Sequence, residues 1–367
     1  MERAIGILLL YLVFPQLSWA EGERNIPLFF EMGEDYTRVV QEAEAFVFAS
    51  KDSNLEHQML LLSDKTGNPL FFYSDIYTPV CIDNVCKPVQ IEIYWNLLGE
   101  YVGFALEKEQ PLTKFDHEEF ESADYEKFHQ LLLDEHSVLD RQSMDDLFDE
   151  GAKTEPDKEQ VVFNGVEVDA VSEPTKKVIR ESTVEGALYS CYTLWHLVHG
   201  EVRQKVKNYF ARIYHVGIEQ YLLASSYENY QLFALKKLEA QEYLHFLPQI
   251  LSIFEEASPL VRSYILKKLP DSDWKDQRLS QYLYEHFSQW DMNTQTLLLK
   301  HLEFADEGVI ALLCKQVQTM RKRQLVIFLD FMPDKPSDLD EADKEMLKKI
   351  AGSSYPYGYL LKTYLEK

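Results

Sequence analysis

Apolar residues in the first half of the chain recur at short, strand-like intervals. Residues 59–62 (Met-Leu-Leu-Leu) and 70–73 (Leu-Phe-Phe-Tyr) flank a loop of turn formers over 63–69, the pattern of a hairpin. Val89, Ile91, Ile93 and Trp95 alternate with Gln90, Glu92 and Tyr94, which predicts a half-buried strand. A turn over 96–100, containing Gly99, leads to a returning strand over 101–106. Together these segments predict a small antiparallel sheet. The spacing then changes to helical. Phe128, Leu131 and Leu132 share a face of a helix over 123–133, with Asp124 near its start. A second helix is expected after Pro174, where Val184, Leu188, Cys191, Trp195 and Val198 keep helical spacing to about Gly200.

Strand signals almost vanish beyond Glu201. A weak repeat replaces them: YQLFALKKL from Tyr230, VRSYILKKL from Val261 and TQTLLLKHL from Thr294, with a looser copy over 321–329. Further amphipathic stretches, over 243–257, 277–290 and 307–320, lie between the copies. Two helices per unit, stacked in series, make an α-solenoid. The copies resemble HEAT-type repeats with a short period, and an irregular helical bundle is the alternative. Solenoids present binding surfaces, so a protein partner docked through the helical repeats is the expectation.

Residues 1–20 read as a cleaved signal peptide, with an uncleaved anchor as the alternative. Arg3 precedes an apolar run over 4–17, and Ser18, Trp19 and Ala20 supply a small-residue cleavage site. The run is shorter than the roughly 20 residues a bilayer span needs. No later segment is apolar enough to cross, so the mature chain is expected in the periplasm or secreted, with no integral membrane segment. With 367 residues, the chain divides into an α+β domain over 21–200 and an all-α repeat domain over 201–367. An acidic connector over about 140–160 holds Asp145, Asp146, Asp149, Glu150, Glu155, Asp157 and Glu159 and reads as exposed, with at most a helical turn near Leu147 and Phe148. Residues 161–168 suggest another strand pair or bend. The formal net charge of −24 makes nucleic acid a poor partner and gives no basic handle for anionic lipid.

Four cysteines are present. Cys81 and Cys86 bracket Asp83 and Asn84, turn formers that suit a small-loop disulfide in an oxidising compartment. That pair is either a structural clip or a thiol-redox centre. Cys191 and Cys314 lie in apolar helical patterns and read as core. His196 and His199 share a helix face, as metal ligands can, but no carboxylate accompanies them at a familiar spacing, which favours satisfied histidines. No glycine-rich phosphate loop, nucleophile elbow or zinc-protease motif occurs.

Asp169, Ser172 and Thr175 stand in the order Asp-Ala-Val-Ser-Glu-Pro-Thr ahead of a helix. The stretch resembles the flavinylation motif of the FMN-binding domains in the RnfG, NqrC and NosR proteins, which runs Asp, two residues, Ser or Thr, Gly, Ala, Thr. The resemblance covers roughly residues 50–200. It implies FMN joined through its phosphate to the Thr175 hydroxyl by a separate transferase. Asp169 and Ser172 would orient the loop, and Tyr94, Trp95 and Tyr101 are candidates to cover the ring. Glu173 and Pro174 depart from the Gly-Ala of the motif. Glutamate adds negative charge beside a phosphate, and proline removes backbone freedom that glycine supplies. The plain alternative is that Asp169 or Ser172 caps a helix with Pro174 in its first turn. Two functional expectations follow. One is an electron-transfer or redox-accessory flavoprotein, not a turnover enzyme, with a redox partner docked on its repeats. The other is a non-catalytic interaction module whose flavin domain has lost its cofactor.

Overall fold

The computed structural model describes residues 24–49, 55–80, 88–107, 109–114, 117–143, 173–334 and 336–367. The signal segment, Cys81, Cys86, residues 144–160 of the acidic connector, residues 161–168, Asp169 and Ser172 lie outside the described residues. The chain divides into two compact units, Met1–Ile218 and Glu219–Lys367.

Six strands form one antiparallel sheet in the first unit. They are β1 (Phe29–Phe30), β2 (Gln41–Ala49), β3 (Glu56–Ser63), β4 (Pro69–Thr78), β5 (Val89–Asn96) and β6 (Tyr101–Ala105), in the order β1-β6-β5-β4-β3-β2. The β3–β4 hairpin closes where the sequence places it. Asp64 Oδ1 accepts the backbone N–H groups of Thr66 at 2.8 Å and Asn68 at 3.0 Å, and the Thr66 hydroxyl at 2.6 Å. Burial pulls the Asp64 carboxyl upward, but the hydrogen bonds from Thr66 and Asn68 outweigh it and hold it down at about 2. At the β5–β6 turn, Asn96 Oδ1 accepts Leu98 N and Glu100 N, each at 2.9 Å, and Gly99 takes φ 77°. That left-handed position suits glycine.

β5 is buried along its whole length apart from partly covered Gln90, instead of half-buried. It sits near the middle of the strand order, and both of its faces are covered. On one face lie helices α2 (Ser122–Leu133), α4 (Leu188–His199) and α5 (Glu201–Ile213). There the Trp95 indole donates to the Val198 carbonyl at 3.1 Å. Phe104 meets Phe128 edge to face at 5.5 Å, and Tyr209 lies 5.8 Å from Phe72. On the other face the N-terminal segment crosses the sheet. Phe30 and Tyr36, in β1 and the short α1 (Gly33–Tyr36), pack edge-on against Tyr94, and Asn25 Nδ2 donates to buried Glu92 at 2.8 Å. Gly103 allows this pairing, because a Cβ there would collide with the Phe29 carbonyl.

The strand signal ends near residue 200, yet the first compact unit runs on to Ile218. The reason is α5, whose buried Val202, Val206 and Phe210 form a stripe facing the sheet and whose neighbour is β2. Helix α3 (Glu173–Ser182) begins where Pro174 announces it, and α6 (Val216–Leu223) spans the division.

The second unit is helical throughout its described residues. It contains α7 (Glu228–Lys237), α8 (Leu247–Glu256), α9 (Pro259–Lys268), α10 (Gln277–Glu285), α11 (Met292–Lys300), α12 (Val309–Cys314), α13 (Lys322–Phe331), α14 (Glu341–Ala351) and α15 (Gly358–Leu365). The repeated sequence copies are helices α7, α9, α11 and α13. They bury corresponding positions: Tyr230, Ala234 and Leu235; Val261, Ile265 and Leu266; Thr294, Leu298 and Leu299; then Gln324 and Phe328. Alternate helices pack side by side. α11 lies between α9 and α13, and α12 between α10 and α14.

The intervening helices are shorter than their apolar patterns. α10 stops at Glu285, because the Trp290 indole occupies the Leu283 carbonyl at 2.8 Å and a 3-10 turn over Phe287–Gln289 follows. α12 likewise ends at Cys314, and the Gln316 side chain donates to the Leu312 carbonyl at 3.3 Å. Among the described residues, no helix is long and apolar enough to cross a membrane.

Candidate functional site

Thr175 falls in the first turn of α3. The three aromatics expected to cover a flavin ring do not fit that role, because each is core. Tyr94 donates to Glu92 at 3.0 Å, Trp95 to Val198, and the Tyr101 hydroxyl meets His129 Nδ1 at 2.9 Å. Burial, then the Glu92 charge, pushes the Tyr94 phenol far above its ordinary range, so it stays neutral.

The paired histidines are satisfied by backbone. His196 Nε2 lies 3.0 Å from the Leu139 carbonyl and His199 Nε2 2.9 Å from that of Leu132, so each ring donates from Nε2. Burial pushes the His199 imidazole below its ordinary value, so it stays neutral. No group of three His, Cys, Asp or Glu suited to a metal occurs among the described residues. Cys191 and Cys314 are free and buried, and burial pushes each thiol up to about 12.

One further cluster has the geometry of a proton relay. His129 bridges Tyr101 and Glu31, with Nε2 at 2.9 Å from Glu31 Oε1. Phe29 stacks on the imidazole at 4.7 Å, and His129 is only 3% exposed. The imidazole is buried in the packing of the sheet unit, while the Glu31 end of the cluster is exposed.

The second unit offers an open groove of about 650 Å³ over α9, α11 and α13. Pro259, Leu260, Met292 and Leu297 form its apolar part, and Lys300, Arg321 and Arg323 its charged part. Leu260 is 77% exposed and Met292 48%, high values for such side chains. Because the lining comes from corresponding positions of successive copies, one surface runs across several repeats.

The floor beneath is tied by side chains. Gln324 Nε2 donates to Gln295 Oε1 at 3.0 Å, Gln295 Nε2 donates to the Phe287 carbonyl at 3.1 Å, and Gln324 Oε1 accepts Arg321 N at 2.9 Å. Arg262 binds α9 to the start of α11. Its Nε donates to the Phe254 carbonyl at 2.8 Å, its Nη1 lies 3.6 Å from Asp291, and its guanidinium sits 5.1 Å over Trp290. Asp291 caps α11 through Asn293 N and Thr294 N. Burial raises that carboxyl, but hydrogen bonds from Thr294 and Asn293 and the Arg262 charge prevail and keep it ionised. These bonds join α9, α11 and α13 beside the groove, and satisfied side-chain networks of this kind rigidify the packing around them.

A second hollow of this unit, about 690 Å³ between the end of α6, α7 and α8, has a different chemistry. Glu228, Glu256, Ser225, Ser252 and Gln249 line it. The sequence already held one sign of the basic groove. Arg321, Lys322 and Arg323 are consecutive and exposed in a chain of 61 acidic and 37 basic residues. Its partners Leu260 and Met292 became visible only when the copies were laid side by side. No known family matches the chain, and no curated protein or solved structure matches it either.

Proposed function

We propose that the chain is an exported, non-catalytic interaction module whose helical unit, a HEAT-like stack, holds a partner protein in the groove over α9, α11 and α13. The observation that carries this reading is the coincidence of exposed Leu260 and Met292 with Lys300, Arg321 and Arg323 on a floor fixed by hydrogen bonds. Rigid scaffolds that expose an apolar patch with charged margins are built for docking. The test is site-specific photocrosslinking in the native host. A photoreactive residue at Asn293, inside the groove, is expected to give one discrete protein adduct. The same residue at exposed Glu285, on α10, is expected to give none. Adducts of equal yield from both positions would defeat the reading.

A second reading keeps the flavin. It draws support from the order of Asp169, Ser172 and Thr175 and from the position of Thr175 in the first turn of α3. On this reading the chain is an electron carrier or redox accessory with FMN on Thr175, and the groove docks a redox partner. Intact mass and visible spectrum of the chain, produced with a flavin transferase beside Thr175→Val, separate the two. A yellow adduct lost in the variant favours the carrier. A colourless chain at its unmodified mass favours the module.

A further inference from the structure

We propose that the groove over α9, α11 and α13 takes an acidic segment of a partner protein, with carboxylates on Lys300, Arg321 and Arg323 and aliphatic side chains on Leu260, Met292 and Leu297. This rests on reading the helical unit as a docking module and names the chemistry of its ligand.

The chain carries a net charge of −24, yet no aspartate or glutamate lines this groove. The ion pairs of the second unit join Arg262 to Asp291, Arg278 to Asp276, Lys344 to Glu341 and Lys348 to Glu345. Lys300, Arg321 and Arg323 are exposed and enter no ion pair among the described residues. Screening over about 8–10 Å lets a short segment feel this local positive field in spite of the acidic chain around it. Guanidinium groups hold carboxylates in a bidentate fork, which suits aspartate and glutamate.

The apolar part selects among anions. Single-stranded nucleic acid needs aromatic platforms for its bases, and no aromatic side chain lines the groove. Anionic membranes are held by clusters of about 4–8 cations on an open surface, whereas the cations lining this groove are Lys300, Arg321 and Arg323, set beside an aliphatic patch. A second copy of the chain would bring another −24 charges against the first, and that repulsion opposes self-association. A peptide with both carboxylates and aliphatic side chains satisfies both halves of the lining.

The test uses the full chain and a fluorescein-labelled peptide in which Asp and Glu alternate with Leu. Controls are the same peptide with Lys for each acid, a Gly-Asp peptide without leucine, and phosphatidylserine vesicles. Fluorescence anisotropy should rise and saturate with the acidic leucine peptide alone, and its affinity should fall as salt is raised. The double variant Arg321→Glu/Arg323→Glu should weaken it by about tenfold or more, equivalent to about 1.4 kcal/mol. Lys300→Glu, a separate exposed site, should weaken it in the same direction. Far-UV circular dichroism should match the parent for both. Unchanged affinity in both variants overturns the proposal. So does equal binding of the lysine peptide, binding of vesicles without peptide, or sedimentation as a dimer that the peptide dissociates. Absence of peptide binding alongside a discrete Asn293 crosslink would remove the acidic ligand and leave the docking module standing.

Discussion

The two units build their interiors by opposite means. In the sheet unit each buried polar group has its own arrangement. Glu92 takes Asn25 and Tyr94, His129 takes Tyr101 and Glu31, and Trp95 reaches across to Val198. Apart from Tyr94, two residues from Glu92, those partners are far apart in sequence and are joined only by the finished fold. In the helical unit the same positions are buried repeatedly, and helices touch near neighbours in the chain. Helices that pack on near neighbours in the chain are stabilised locally, step by step. The difference teaches where a surface can vary. A unit whose core is set by a recurring pattern can carry a different exposed side chain on every repeat without disturbing the rest. That is the property expected of a docking surface.

The strongest way to break the comparison is to attack one core position in each unit. Trp95→Ala removes a fully buried ring together with its hydrogen bond, and should cost about 3–5 kcal/mol in denaturant unfolding. Slower hydrogen exchange should be lost along β4, β5 and β6 together. Leu298→Ala in α11 should cost about 2–4 kcal/mol, and its loss of protection should centre on α9, α11 and α13. Uniform loss of protection over the whole helical unit would contradict the local picture.

A pH titration sharpens the contrast. The Asp64 carboxyl is held at about 2, below its ordinary value of 3.8. Its contribution is therefore whole above about pH 4 and disappears as pH falls toward 2. Asp64→Asn should lower stability at neutral pH by up to about 2 kcal/mol and flatten the acid limb of the curve. An acid limb as steep as the parent's would show that the β3–β4 turn does not carry it. Smaller still is the effect of the groove on folding. Leu260→Ala, Met292→Ala and Arg323→Ala should each change stability by no more than about 0.5 kcal/mol, since exposed side chains carry little of the core.

The sequence was most legible where pattern and environment agreed. The 59–62 and 70–73 runs, the Gly99 turn and the helix over 123–133 appear where their spacing places them. The copies from Tyr230, Val261 and Thr294 each became one helix. β5 was misread because alternation reports one buried face, and nothing local to residues 89–95 says that residues 25–36 will cover the other. The shortened α10 and α12 have the same origin, since Trp290 and Gln316 take up carbonyls that an amphipathic pattern assigns to the helix. Tyr94, Trp95 and Tyr101 looked available for a cofactor only while their partners, Glu92, Val198 and His129, were unknown. The groove over α9, α11 and α13 was the least legible, because its lining is assembled from residues about 30 positions apart and only Arg321–Arg323 stand together in the chain.

The groove over α9, α11 and α13 is proposed as the working surface. The most direct measurement is the yield of the Asn293 photocrosslink in the parent chain and in Leu260→Ala/Met292→Ala/Arg323→Ala, with far-UV circular dichroism recorded on both. The account predicts a discrete adduct in the parent that is lost in the triple variant while the spectrum is unchanged. An adduct of undiminished yield in a folded triple variant would contradict it.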